Sequence, residues 1–171
     1  RWIAEHVEPH AAAWERDGGV PAALFRSFAG AGYLAIAYPR DVGGGGRGIV
    51  EQLVVAEELY YAAWGGVALS LLGHAGIALQ PLLLLGTDEQ QQRWLRPALR
   101  GTCIGALAVT EPDAGSDVGS LSTRAERVAV GWRLDGRKVF VTLGPDADFV
   151  IVAARGTDAP GHRGIGLFIV P

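Results

Sequence analysis

The first hundred residues carry their apolar positions at helical rather than strand intervals. Trp2, Ile3, His6, Val7 and Pro9 make a short stripe, an Ala-rich turn follows, and Gly18-Gly19 breaks it. Pro21 suits a first helical turn, where its missing N–H costs nothing. Ala23, Leu24, Phe25 and Phe28 continue from it until Gly30 and Gly32. Ile49, Leu53, Val54 and Leu59 fall near helical spacing, with Glu51, Glu57 and Glu58 left for a wet face. Residues 67–85 are almost wholly apolar and predict the most buried helix. Ser70, Gly73, His74, Gln80 and Pro81 interrupt that stretch, which argues against a membrane span. Thr87, with Gln90 three positions later, has the pattern of a capping box. The helix it opens runs through Trp94 and Leu95 towards Gly101.

After Gly101 the pattern changes. Residues 104–109 form a short apolar strand candidate, and residues 121–130 alternate loosely. Asp135-Gly136, flanked by Trp132-Arg133-Leu134 and Val139-Phe140-Val141, predicts a hairpin turn. Residues 149–153 and 165–170 give two more strands. Helices first and strands second is the order of an α+β protein or of two domains, not of a doubly wound sheet. The expected layout is an all-helical domain over residues 1–103 and a partial, antiparallel, barrel-like β-domain over residues 104–171.

Composition narrows the picture. With 49% hydrophobic and 19% charged residues the chain can build a core. Its 15 cationic residues are 14 Arg and one Lys, Lys138, spread without a basic run, which argues against binding nucleic acid. Cys103 has no partner cysteine, and its neighbours Ile104, Ala106 and Leu107 point to a buried, inert thiol. One free thiol fits a reducing cytoplasm, and heavy Ala, Gly and Arg usage fits a GC-rich bacterial genome. No methionine occurs, even at position 1, so the expectation is of a sequence lacking its natural start.

Gly43, Gly45 and Gly48 satisfy G-x-G-x-x-G, but Tyr38-Pro39-Arg40-Asp41-Val42 separate them from the preceding apolar stretch. A dinucleotide fingerprint needs its first glycine at the strand end. A flexible surface loop is the better reading. The segment Thr110-Glu111-Pro112-Asp113-Ala114-Gly115-Ser116-Asp117 gathers three carboxylates without the spacing of a calcium loop, and no metal is expected there. Gly115 and Ser116 offer amides and a hydroxyl to a phosphate or a polar cofactor edge. An ordinary loop with Asx turns accounts for them equally well. His6, His10, His74 and His162 lie far apart, and His74 is expected as a hydrogen-bonded core residue. No catalytic triad can be assembled.

The stretch from Ala108 through Asp117 closely resembles the signature of acyl-CoA dehydrogenases, in which a T-E-P-x-A-G-S-D loop follows a strand. The likeness continues in register through Thr123-Arg124-Ala125, Trp132-Arg133-Leu134-Asp135-Gly136-Arg137-Lys138 and Phe140-Val141-Thr142. It runs on through Ala147-Asp148, residues 150–155 and Gly166-Leu167-Phe168-Ile169-Val170. Gly32-Tyr33-Leu34, Pro39 with Gly43-Gly44, Glu57-Glu58-Leu59, Leu85-Gly86-Thr87 and residues 90–99 extend it to the front half.

The resemblance implies a helical domain, a middle β-domain and a C-terminal helical bundle, with FAD between the last two. It implies α,β-desaturation of an acyl thioester: a glutamate of the bundle takes the α-proton while hydride passes from the β-carbon to the flavin. On this reading residues 1–171 stop before the bundle, hold no catalytic base and are inactive alone. The flavin-edge segment falls on residues 107–116. Leu107 lies on it, and Val109 and Thr110 are expected to bond the pyrimidine edge. Gly115 and Ser116 fall near the pyrophosphate, Ser116 also near the thioester. Phe140, Val141 and Thr142 match the family's W-I-T segment, with Thr142 bonding N5 and Phe140 covering the ring.

Phe140 in place of tryptophan loses an N–H donor, and Leu143 stands where asparagine is usual. Implied partners are a coenzyme A or acyl-carrier-protein thioester, an electron-transfer flavoprotein or another acceptor, and further copies in a homo-oligomer. The alternatives are a non-catalytic subunit of a heteromeric assembly, or a flavin oxidase or N-hydroxylase of the same fold.

Overall fold

The computed structural model describes residues 1–62 and 64–171. They divide into two units, Arg1–Ile104 and Gly105–Pro171, one helical and one β-rich, so the class is α+β.

In the helical unit, α1 spans Trp2–His6, α2 Ala11–Asp17, α3 Ala22–Gly30, α4 Ile49–Tyr61, α5 Gly65–Gly73, α6 Gln80–Leu85, α7 Asp88–Gln90 and α8 Arg96–Leu99. The Ala-rich turn is thus a helix, α2, closed by Gly18 in the left-handed conformation. The capping box forms as expected. The Gln90 amide donates to Thr87 Oγ1 at 3.3 Å, and the Thr87 amide donates to Gln90 Oε1 at 2.9 Å.

Two wide π turns, His74–Ala78 and Gln91–Leu95, join α5 to α6 and α7 to α8. Each lies shortly upstream of a proline, Pro81 or Pro97, whose ring and missing N–H disturb the regular ladder. At the first, the Leu79 amide bonds the His74 carbonyl, 3.1 Å away, and frees the Ala75 carbonyl. The Tyr38 hydroxyl donates to that carbonyl and accepts from Gln80 Nε2 at 3.0 Å. Burial pushes this phenol's pKa up, the Gln80 bond only partly opposing it. His74 is the core histidine expected, fully buried, its Nε2 3.2 Å from the Ala98 carbonyl oxygen and its ring edge-on to Phe25. Val7, Phe25, Leu71, Leu79 and Leu95 complete the centre of the unit.

Burial departs from the sequence reading in two helices. On α4, Ile49, Val50, Leu53 and Val54 are exposed, and Leu59 is the residue fully buried. The helical stretch Gly65–Leu85 is long and apolar enough to cross a membrane by length and composition, yet only partly buried, with Leu69, Ile77, Leu84 and Leu85 exposed. Cys103 is half-buried rather than enclosed.

The β-unit contains β1 (Gly105–Ala108), β2 (Arg124–Arg127), β3 (Trp132–Asp135), β4 (Phe149–Arg155) and β5 (Ile165–Val170). β4 is the hub: it pairs antiparallel with β5 and parallel with β1, and it meets β2 where Arg124 pairs with Arg155. The sheet is mixed rather than antiparallel throughout, because the long connection from β1 to β4 lets the two run in the same direction. Phe149, Ile151 and Ala153 point inward at alternate positions of β4. Ala114 and Leu121 pack with Ala153, flanked by Val109 and Ile165.

The hairpin is displaced from its expected place. β2 and β3 form it, turning through residues 128–131, whereas Asp135-Gly136 ends β3 and residues 139–141 are not a strand. Gly136 has φ +155°, and a Cβ there would sit 2.4 Å from Thr123 Oγ1. Its glycine serves a close backbone approach, not a two-residue turn.

Candidate functional site

The loop after β1 closes on itself. The Glu111 amide donates to the Ala114 carbonyl at 2.7 Å, leaving Pro112 and Asp113 at an exposed tip. Its carboxylate turns inward, with 2% of the side chain exposed. It accepts from the Ser122 amide at 2.7 Å, Ser122 Oγ at 2.6 Å, the Thr123 amide at 2.9 Å and Lys138 Nζ at 2.8 Å. Burial alone would raise this carboxyl's pKa. Lys138, Ser122 and Thr123 together outweigh it and hold the group well below the usual range. Among the described residues no group of three or more His, Cys, Asp or Glu is placed to hold a metal ion.

Lys138 gives a second bond, to the Val109 carbonyl at 2.8 Å. The Val139 amide donates to the Thr110 carbonyl at 2.9 Å. These bonds hold the segment after β3 beside the segment after β1, and so bring Val109 and Thr110 next to Phe140, Val141 and Thr142. Phe140 is 92% exposed and has φ +56°, and Leu143 has φ +65°. A bulky residue in the left-handed region costs on the order of 1–3 kcal/mol, and such strain gathers at functional sites.

Among the described residues, the Thr110 amide and the Thr142 hydroxyl make no hydrogen bond within the chain, nor do the amides of Gly115 and Ser116. Gly115 and Ser116 are exposed beyond the Glu111–Ala114 turn, and Leu107 is half-buried on β1. The glycine run of the helical unit is different: Gly44, Gly45 and Gly46 donate to the carbonyls of Pro39, Ala35 and Tyr38. That loop is internally bonded, and those amides are not free for a phosphate.

Sequence reasoning missed the Glu111–Lys138 pair, although a single lysine among fourteen arginines was a signal that a compact point charge is needed. It also missed Arg155, whose guanidinium bonds the carbonyls of Gly119 at 2.7 Å, Ala159 at 3.0 Å, and Leu121 and Gly161 at 3.3 Å. Arg155 fastens the turn that follows Ser116 to the connection between β4 and β5.

A helical front unit followed by a β-rich unit with an ion-paired loop defines an α+β class, and comparison with known proteins supplies the family. Residues 1–102 match the N-terminal domain of acyl-CoA dehydrogenase, and residues 106–171 match its middle domain. The chain is 38% identical to benzylmalonyl-CoA dehydrogenase of Aromatoleum aromaticum, over 99% of its own length and 44% of the relative's. The crystal structure of acyl-CoA dehydrogenase from Geobacillus kaustophilus superposes with a TM-score of 0.91 at 32% identity, covering 99% of this chain and 44% of that one. An acyl-CoA dehydrogenase from Bacillus anthracis, solved in complex with FAD, gives a TM-score of 0.86 at 30% identity, covering 99% of this chain and 29% of that one. The chain belongs to the acyl-CoA dehydrogenase family, and it spans less than half the length of these relatives.

Proposed function

We propose that this chain is the front portion of an FAD-dependent acyl-CoA dehydrogenase that desaturates an acyl thioester between its α- and β-carbons. The observation that carries the reading is Phe140: an exposed aromatic on a left-handed backbone, following directly on Val139, whose amide is bonded to the Thr110 carbonyl of the segment with the unbonded Thr110 amide. The ring fits the face of an isoalloxazine, and the donors fit its edge. When bound, the flavin supplies the hydride acceptor.

Val109 and Thr110 would bond the pyrimidine edge, where donors aimed at developing negative charge are most effective. Thr142 would donate near N5, Phe140 would cover the ring, and Val141 would set their spacing. Leu107 would line the approach. Gly115 and Ser116 would lie near the pyrophosphate, with Ser116 also near the thioester. Glu111 is committed to Lys138 and two amides and is not a base. In this reading the base lies outside residues 1–171. The carrier is coenzyme A or an acyl-carrier protein, an electron-transfer flavoprotein takes the electrons, and the whole protein is a cytoplasmic homo-oligomer.

The test is to purify the whole protein and follow its visible absorbance anaerobically while a panel of acyl-CoA thioesters is added. A yellow protein whose flavin bands bleach with one of them is expected. A protein that takes up no flavin, or whose flavin no thioester reduces, would overturn the reading.

A further inference from the structure

The clasp that holds the two site segments together also joins a charge to one particular peptide group. Lys138 Nζ lies 2.8 Å from Glu111 Oε1 and 2.8 Å from the Val109 carbonyl oxygen, and its side chain is 10% exposed. That carbonyl belongs to the same peptide unit as the Thr110 amide, which has no acceptor among the described residues. A cation bonded to the oxygen of an amide withdraws electron density through the delocalised O–C–N system and makes its N–H a stronger donor. Chains of hydrogen bonds polarise one another in this way, most strongly where water is excluded. A bond to an ionised group is also about twice as strong as a neutral one.

We propose that Lys138 is a tuning residue for the cofactor: held by Glu111, its ammonium polarises the Val109–Thr110 peptide, strengthens the Thr110 amide as a donor and favours the reduced, anionic flavin. Lys138 does not touch the flavin; it acts through one peptide bond. Glu111 keeps the ammonium aimed, and its carboxylate is itself held through the other oxygen by Ser122. The inference rests on the flavin reading above and deepens it.

The experiment measures the midpoint potential of the flavin bound to the whole protein, by equilibration with a reference dye. In Lys138→Met the reduced flavin is expected to lose about tenfold in affinity relative to the oxidised form, a fall of about 30 mV for a two-electron couple. Lys138→Arg, which keeps a cation near the carbonyl, is expected to recover at least half of that shift. If Lys138→Met fails to fold because Glu111 is left alone, the double variant Glu111→Met with Lys138→Met replaces the pair by apolar groups of similar volume, a change that buried pairs often tolerate. A low potential in that variant supports the proposal. An unchanged potential in either variant overturns it, and so does loss of flavin from the double variant, which would make the clasp purely structural. Thr142→Ala, which removes the hydroxyl, and Phe140→Gly, which removes the exposed ring, separate the two levels. Unaltered flavin content and spectrum in both would sink the flavin reading itself. Altered flavin there, with an unmoved potential in the Lys138 variants, would sink only the tuning.

Discussion

Phe140 and Glu111 make opposite demands on the β-unit. Phe140 gives the apoprotein almost nothing, since its ring is exposed and its backbone is strained. Phe140→Gly removes a left-handed side chain worth on the order of 1–2 kcal/mol, partly offset by about 0.5–1 kcal/mol of added chain entropy. The apoprotein is therefore expected to hold or gain slightly in a urea titration, while flavin binding weakens at least tenfold. A large loss of apoprotein stability would show that the ring packs in the folded chain. Glu111 is instead tied to the fold, and its carboxyl is held below its ordinary range. A group with a lowered folded pKa stabilises fully above its unfolded value, about 4.3 for glutamate. That contribution is lost as pH falls below that value, because the unfolded chain binds the proton first. Glu111→Gln is expected to flatten the dependence of unfolding free energy on pH below the ordinary glutamate range. An unchanged acid slope would remove Glu111 as its source.

Elements were legible wherever local chemistry chose them. The Thr87–Gln90 cap, Pro21 before α3, and β4 and β5 with their bounding turns all follow from near neighbours in the chain. What the sequence concealed depends on distant partners. Asp135-Gly136 carries the local signature of a hairpin turn, but Lys138 and Val139 are bonded to Val109 and Thr110, which draws the following segment off the sheet. The period of α4 marks an apolar face and cannot say what covers it, and in the fold Ile49 and Leu53 on that face stay exposed. Of the site, the resemblance supplied the residues, while the buried pair and the left-handed Phe140 needed coordinates. Gly136→Ala tests the reassigned glycine. A methyl group would press on the Thr123 side chain and Cα, next to the amide that holds Glu111. The variant is expected to lose stability and flavin together; wild-type values for both would show that the approach relaxes freely.

At the scale of the whole molecule, the dominant feature of the helical unit is its exposed apolar surface. Ile49, Val50, Leu53 and Val54 lie at helical spacing on α4, and Leu84 and Leu85, each 74% exposed, end the longest apolar stretch. Soluble monomers rarely leave large contiguous apolar patches in water, and those that do associate or aggregate. Since the chain spans 44% of the length of its benzylmalonyl-CoA dehydrogenase relative, more chain is available in such proteins to cover these faces. Residues 1–171 expressed alone are therefore expected to self-associate at micromolar concentration in a sedimentation experiment. Leu53→Glu, on a side chain already 60% exposed, is expected to reduce that association without lowering the unfolding midpoint. The same isolated stretch is expected to hold FAD weakly, because bound cofactors of that size are usually about 70–90% buried, whereas Phe140 here stands in solvent. A monodisperse monomer that binds FAD stoichiometrically would mean that the exposed faces are ordinary solvent surface and that these residues enclose the cofactor unaided.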